Sequence, residues 1–325
     1  MKLSIIISCY NVSYWIRSTI TSLIKQSKEH DVEIIAINDG STDETLTILE
    51  NYTCEKLRII SHSQNRGLID TRNTGLKNAK GDYLWFIDSD DIIPENALDI
   101  IFYELSRNQV DVLNFDFQRI HKKNKFEHIT YKCKYNHNYN GQYIYAKLNI
   151  HSYVWNKVIN KAFLMKHDIK FDMIPDDEYL LLQICKKAQT YRFIPHVIYQ
   201  YRVHPHSDSQ LIGTQSQYYK GYFKILEEYY REQEEIIFRP FIETITLKCI
   251  KGIIINFNKV KSIDKQKISD DRKTYYKKLQ KHIKLIFTQH PIKTSKGLLC
   301  KITYYIPFLP DTIYRLYKFF KNIVS

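Results

Sequence analysis

The chain predicts an α/β fold: a mainly parallel sheet flanked by helices, followed by a helical C-terminal extension. Three observations carry that expectation. Short apolar runs rich in Ile, Val and Tyr alternate with segments of helical spacing through the first 117 residues, the pattern of parallel strands joined by crossover helices. Turn residues and carboxylates collect where the apolar runs end, as at Asp39-Gly40 and at Asp88-Ser89-Asp90-Asp91. Charge is segregated: of a net +13, residues 246–325 carry 18 Lys and Arg against 4 Asp and Glu, and the rest of the chain is close to neutral.

Leu3–Ser8 is an apolar run and reads as the first strand, and Tyr14–Gln26 follows with Ile16, Ile20, Leu23 and Ile24 on one helical stripe. Val32–Asn38 is a second strand ending at Asp39-Gly40. Ser41-Thr-Asp-Glu44 has capping-box spacing and predicts a helix running to about Tyr52. Leu57–Ser61 is a third strand, Leu68–Asn78 a helix closed near Gly81, and Tyr83–Asp88 a fourth strand. Pro94 suits the first turn of a helix over Glu95–Asn108, with Asp91 as a cap before it, and Val110–Phe117 is another strand. Residues 118–150 are polar and read as an irregular hairpin and a short helix. Val154–Asn160 reads as extended, Glu178–Ala188 as a helix and Pro195–Arg202 as a strand, with a helical, basic and aromatic pattern from about Tyr218 onward.

At 325 residues the chain can bury a full core. The N-terminus turns polar too early for a secretory leader, and no run of 18 apolar residues predicts a membrane span. Six scattered cysteines without a C-x-x-C pair suit reduced thiols in a cytoplasmic protein. The segments Lys301–Pro310 and Ile313–Ile323 mix aromatics with Lys and Arg. They suit either a helix packed on the core or a peripheral contact with the anionic cytoplasmic face of an inner membrane. No motif for nucleic-acid binding accompanies that charge.

Three carboxylates within four positions repel one another unless a cation or hydrogen-bond donors hold them, so Asp88, Asp90 and Asp91 suggest a hard divalent ion. Mg²⁺ binds through one or two carboxylates plus substrate phosphates, which points to a nucleotide diphosphate. An acidic solvated turn is the alternative. In α/β sheets ligands sit beyond the carboxyl ends of the strands, and Tyr10-Asn11, Asp39 and Asp88–Asp91 all fall there.

Taken in order, the motifs resemble the inverting glycosyltransferases of family 2, with the Rossmann-like GT-A fold. They are Ser4–Asn11, Glu33–Asp43 with its Asp39-Gly40-Ser41-x-Asp43 turn, Asn65-Arg-Gly67 with Arg72-Asn73-x-Gly75, and Lys80–Tyr83 leading into the D-x-D strand. Trp155-Asn-Lys157, Asp176–Tyr179 and Tyr199-x-Tyr-Arg202-x-His204 resemble the family's acceptor-side motifs. The resemblance covers roughly residues 1–210. It implies a GT-A domain over 1–215, with a donor half over about 1–117 and an acceptor half over about 118–215; the basic, aromatic, mostly helical region over 216–325 lies outside it and is read from its own pattern. Ser8 stands where the family usually has proline, Asn38 replaces the first acid of D-D-G-S, and Asp176 replaces a glutamate.

The resemblance implies donor binding by Ser8, Tyr10, Asn11, Asp39, Arg72, Asp88 and Ser89. Asp39 would read the uracil edge, Asp88 the ribose, and Asp90 with His204 would hold Mn²⁺ or Mg²⁺. Asp177 would be the general base, and Trp155, Lys157 and Asp176 would border the acceptor or the phosphates. Each has a plain structural counterpart: turn capping by Asp39, a surface arginine at 72, helix capping by Asp176 and Asp177, an exposed loop histidine at 204, core packing by Trp155. The implied reaction moves a sugar from a UDP-sugar to a saccharide hydroxyl, with a lipid-linked glycan in capsule, O-antigen or exopolysaccharide assembly as the acceptor. A sugar-1-phosphate nucleotidyltransferase is the rival enzyme, but Ser8–Trp15 lacks the Gly-rich basic loop it needs. A degenerate glycan-binding scaffold is the non-enzymatic rival.

Overall fold

The computed structural model describes residues 1–121, 125–148 and 150–204, and beyond them Gly221, Tyr222, Lys224, Ile225, Thr244, Ile245 and Lys248. The chain divides into two compact units, Met1–His204 and Pro205–Ser325. The basic and aromatic segments 301–310 and 313–323 lie outside the described residues. Among the described residues no helix is long and apolar enough to cross a membrane.

The first unit opens with four parallel strands joined by helices: β1 (Leu3–Cys9), α1 (Ile16–Ser27), β2 (Val32–Asn38), α2 (Thr45–Glu50), β3 (Leu57–Ser61), α3 (Leu68–Asn78) and β4 (Tyr83–Asp88). Then come α4 (Ala97–Arg107), β5 (Val112–His121), β6 (Lys125–Ile129), β7 (Asn138–Tyr139), α5 (Gly141–Lys147), a 3₁₀ turn Val154–Asn156, β8 (Lys157–Asn160), α6 (Lys161–Lys166), α7 (Asp176–Lys187) and β9 (Tyr191–Arg202). All nine strands of the described residues join one sheet in the order β3-β2-β1-β4-β8-β5-β9-β7, with β6 paired to β5. β1 and β4 lie at its centre and are buried almost throughout, as strands covered on both faces must be.

The parallel part ends at β4. β8 inserts between β4 and β5 and runs antiparallel to both, whereas β5 and β9 are parallel. Only its last four residues fill the extended run expected at Val154–Asn160, because Val154–Asn156 coil into the 3₁₀ turn. β9 starts at Tyr191, earlier than Pro195. Its register against β5 jumps from Phe115↔Ile194 to Asp116↔Val197, so Pro195 and His196 bulge out. Proline has no N–H for the ladder and is tolerated at such a bulge. The helix after Pro94 begins at Ala97, two residues later than expected.

Helix α3 lies close against the sheet because position 75 is glycine. A Cβ there would sit 2.2 Å from Ile6 Cγ2 and 3.2 Å from Ile37 Cδ1. This contact sets the height of α3, and hence of Arg72, above β1 and β2. Gly75→Ala is expected to push α3 off the sheet at a cost of about 1–3 kcal/mol. Urea unfolding should report it as a lower midpoint with an unchanged m-value.

Candidate active site

Parallel register places Ser8 beside both Ile37 and Asp88, so the loops after β1, β2 and β4 leave the sheet on one side. The β1 loop is tied to the β2 loop. Asn11 holds a left-handed turn with φ 52°; its Oδ1 accepts from Thr42 N at 2.8 Å and its N–H donates to Ser41 Oγ at 3.1 Å. The capping box does not form. Ser41 is taken by Asn11, and α2 starts at Thr45, whose N–H donates to Asp43 Oδ1. Asn11 thus ties the two loops together. Ser8 is half-buried at the end of β1, and the ring of Tyr10 is exposed.

Asp39 is buried but does not cap its own turn. Its Oδ1 accepts from Arg66 N at 3.0 Å and from His62 Nδ1 at 2.6 Å, and its Oδ2 accepts from Gly67 N at 2.8 Å. Burial raises its proton affinity, but these three donors outweigh it and hold the carboxyl below its ordinary range. A carboxylate has about four lone-pair positions, so Oδ2 keeps one acceptor position. His62 also meets Thr74 Oγ1 at 3.0 Å. Sequence reasoning passed over His62, which lies one residue beyond β3; its signal was only that strand ends gather site residues.

The acidic loop is fastened from β9. Asp91 is fully buried: Tyr199 Oη donates to its Oδ2 at 2.7 Å and Arg202 N to its Oδ1 at 2.8 Å. It is therefore not the helix cap expected. Burial, then Asp90 and Asp88, push its proton affinity well up. Tyr199 Oη also accepts from Asp88 N at 3.0 Å. Ser89 is buried, and its carbonyl, like that of Asp91, accepts from Thr19 Oγ1. Asp90 stays partly exposed and meets His204 Nε2 at 2.8 Å, while its carbonyl accepts from Arg202 Nη1 at 2.7 Å. His204 is thus no stray loop residue.

Arg72 joins the two halves of the unit. Its side chain is 4% exposed, not a surface arginine. Nη1 donates to Asp176 Oδ2 at 2.6 Å and Asp177 Oδ1 at 2.7 Å, and Nη2 reaches Asp88 Oδ1 at 3.4 Å. The guanidinium lies 5.3 Å from the centre of the Phe171 ring. Burial works against its charge, yet the three carboxylates outweigh that and bind its proton more firmly. Asp176 and Asp177 stand in the first turn of α7, whose N-cap is Pro175 with no side-chain cap, so both reach across the chain. Asp177 Oδ2 also accepts from Val154 N at 3.3 Å. Burial raises the proton affinity of Asp177, Arg72 lowers it, Asp176 raises it again, and the net shift is upward.

Two of the expected ligand contacts differ from what the fold provides, those of Trp155 and Lys157. Trp155 is buried and lies flat against Tyr153 and Tyr199 at 4.7 and 4.4 Å. Lys157 is buried too, and Nζ donates to the carbonyls of His151 and Tyr153 and to Asn156 Oδ1. Both support the segment before β8 that carries Val154. Among the described residues no three His, Cys, Asp or Glu side chains cluster as a metal site. Asp90 and His204 together offer two adjoining donors, a set that fits an ion completed by phosphate oxygens and water.

Residues 4–164 match the family model for glycosyl transferase family 2. The chain is 28% identical over 226 residues to the uncharacterized glycosyltransferase EpsJ of Bacillus subtilis, covering 64% of this chain and 63% of EpsJ. It is 28% identical over 223 residues to the glycosyltransferase GlyA of Streptococcus pneumoniae, covering 65% of this chain and 32% of GlyA. The matched region thus spans less than two thirds of either relative. Among solved structures, S. aureus TarS 1–349 in complex with UDP-GlcNAc aligns with a TM-score of 0.65 at 19% identity, over 87% of this chain and 81% of that one. The mannosyltransferase PcManGT of Pyrobaculum calidifontis, with GDP-Man and Mn²⁺, aligns with a TM-score of 0.54 at 12% identity, over 93% and 86%. These likenesses show the fold, which is GT-A.

Tyr199→Phe removes the hydroxyl between Asp91 and the amide of Asp88. It is expected to destabilise the protein by about 1–3 kcal/mol, the cost of leaving a buried polar group without its donor. Denaturant unfolding of the variant against wild type checks this.

Proposed function

We propose, from the premise that the chain belongs to glycosyl transferase family 2 through residues 4–164, that it transfers a sugar with inversion from a UDP-sugar to a saccharide hydroxyl. The observation that carries the reading is the pair of contacts from Arg72 to Asp88 and Asp177. They bring the D-x-D strand and a first-turn acid of α7, itself bound to both Arg72 and Val154, into one site. A uridine donor is supported by the open acceptor position on Asp39 Oδ2, which suits an N3–H, and by the TarS complex with UDP-GlcNAc. Tyr10, exposed at the end of β1, would lie against the base or ribose, and Ser8 and Ser89 would line the same strand ends.

In this reading Asp177 is the base. The acceptor hydroxyl attacks the anomeric carbon on the face opposite the diphosphate. Its proton passes to an Asp177 oxygen, the new C–O bond forms, and the bond from the anomeric carbon to the diphosphate breaks, with UDP leaving on the electron pair. Attack and departure on opposite faces invert the configuration. Arg72 orients Asp177 and keeps it ionised against the cost of burial, with Asp176 sharing the same guanidinium. Asp90 and His204 would hold Mn²⁺ or Mg²⁺, which when bound offsets the charge gathering on the leaving diphosphate. The acceptor reading, a lipid-linked glycan at an anionic membrane surface on the cytoplasmic side, is supported by the basic and aromatic character of 301–323.

The test is UDP release from a panel of UDP-sugars with saccharide acceptors and Mn²⁺. Wild type is expected to release UDP with at least one donor, and Asp177→Asn to lose about 10²–10⁴-fold in kcat, the usual worth of a general base, while binding UDP as before. No release with any donor would favour the scaffold, and nucleoside triphosphate consumption would favour the nucleotidyltransferase. Chelation with EDTA is expected to abolish release, with Mn²⁺ restoring it.

The pH dependence follows from Asp177. The base acts only when ionised, and its proton affinity is raised in the fold. Activity should therefore fall as pH drops through a value above the ordinary aspartate range, which centres near about 4. Arg72 lowers that affinity, so Arg72→Gln should move the acidic limb of kcat/KM to higher pH. A pH–rate profile of both proteins with one donor measures the shift.

A further inference from the structure

The turn before α1 and the first turn of that helix face the acidic loop in a way the reaction alone does not explain. Trp15, Ser18 and Thr19 lie three and four positions apart and so share one side of the helix. Thr19 Oγ1 donates to the carbonyls of Ser89 and Asp91 at 3.0 and 2.8 Å. Ser18 Oγ accepts from Arg202 Nη2 at 3.1 Å. The indole of Trp15 takes the remaining place. It stacks on the His204 imidazole with centroids 5.3 Å apart and planes 27° from parallel, and the Arg202 guanidinium lies 4.8 Å from its ring centre.

These contacts act on the side chain proposed to hold the cation. An imidazole at the end of a strand can turn about χ1 and χ2, and as a metal ligand it is useful only when one nitrogen faces the second ligand. Here Nε2 meets Asp90 Oδ2 at 2.8 Å. The flat indole restricts the tilt of the imidazole, and Arg202, held by the same indole and by the Asp90 carbonyl, fixes the backbone that carries it. Leucine would fill the space but offers no flat face. We propose that Trp15 is a positioning residue for divalent-cation binding: it orients His204 toward Asp90 so that the pair presents two donors to one ion. This rests on the cation reading given above.

Trp15 also supplies its own reporter. Of the three tryptophans, Trp85 and Trp155 are buried, and Trp15 is half-buried against His204. A paramagnetic Mn²⁺ on His204 would sit close enough to quench its emission.

The experiment titrates Mn²⁺ into the full chain saturated with UDP, by calorimetry and by tryptophan fluorescence, for wild type, Trp15→Leu, Trp15→Phe and His204→Ala. Trp15→Leu is expected to weaken Mn²⁺ about ten- to hundredfold, as loss of a ligand-orienting partner does. Trp15→Phe, which keeps a flat ring, should stay near wild type in affinity but lose the quenching. Affinity for UDP in EDTA should not change in either. Wild-type Mn²⁺ affinity in folded Trp15→Leu, alongside weakened binding in His204→Ala, overturns the positioning role and leaves the cation reading intact. Unchanged affinity in His204→Ala, or no Mn²⁺ binding by wild type, overturns both. Should Trp15→Leu fail to fold, unquenched emission on Mn²⁺ binding to wild type overturns the proposal by itself.

Discussion

One buried guanidinium governs the arrangement of the unit. Arg72 pairs directly with Asp88, Asp176 and Asp177. Burying an ion costs several kcal/mol even after relaxation. Two unit charges 4 Å apart at an effective dielectric of about 20 attract by about 4 kcal/mol, so a single pair would roughly break even. Several carboxylates around one guanidinium tip the balance toward the ionised state. The guanidinium is thereby held charged. Asp177, by contrast, binds a proton more readily than an exposed aspartate, because burial and Asp176 outweigh Arg72.

The position of Arg72 depends on sheet geometry. α3 sits low over β1 and β2 because Gly75 leaves room for Ile6, and the turn before α3 is anchored by Asp39 through the amides of Arg66 and Gly67. The turn before α3 is therefore tied to Asp39, and the helix itself carries the guanidinium that meets Asp176 and Asp177. On the other flank, Tyr199 and Arg202 from β9 hold the D-x-D loop. Strands β4, β8, β5 and β9 are consecutive in one sheet. A displacement of β5, β8 or β9 would thus be felt at Asp88, Asp90 and Asp91.

Much of this was legible in the chain. The bounds of β2, β3, α3 and β4 follow from apolar spacing at strand or helix period closed by turn residues, because local pattern and tertiary burial agree there. Disagreement arose wherever a side chain was drawn to a distant partner. Ser41 abandons its own helix for Asn11, Asp91 leaves its expected cap for Tyr199 and Arg202, and Asp176 and Asp177 turn away from the amides of α7 toward Arg72. Local spacing cannot encode a partner a hundred residues away. The same limit hid His62 and Trp15, whose neighbours in sequence carry no hint of Asp39 or His204. The antiparallel insertion of β8 was hidden too, since a four-residue strand carries no direction in its pattern.

The misplacement of Lys157 shows how far the physics of a site extends beyond the residues that touch a ligand. Lys157 was expected to border the acceptor or the phosphates, yet here its ammonium is sealed under the chain and donates to carbonyls of His151 and Tyr153. Those carbonyls lie just before Val154, whose N–H donates to Asp177. The buried charge thus braces the backbone that orients the acid, and it also lowers the proton affinity of Asp177 through space. Arg72 lowers it too, and more strongly. Arg72 and Lys157 both oppose protonation of Asp177, while burial and Asp176 favour it and prevail. On the proposed reading, that balance is what readies a desolvated carboxylate to accept a proton from a hydroxyl.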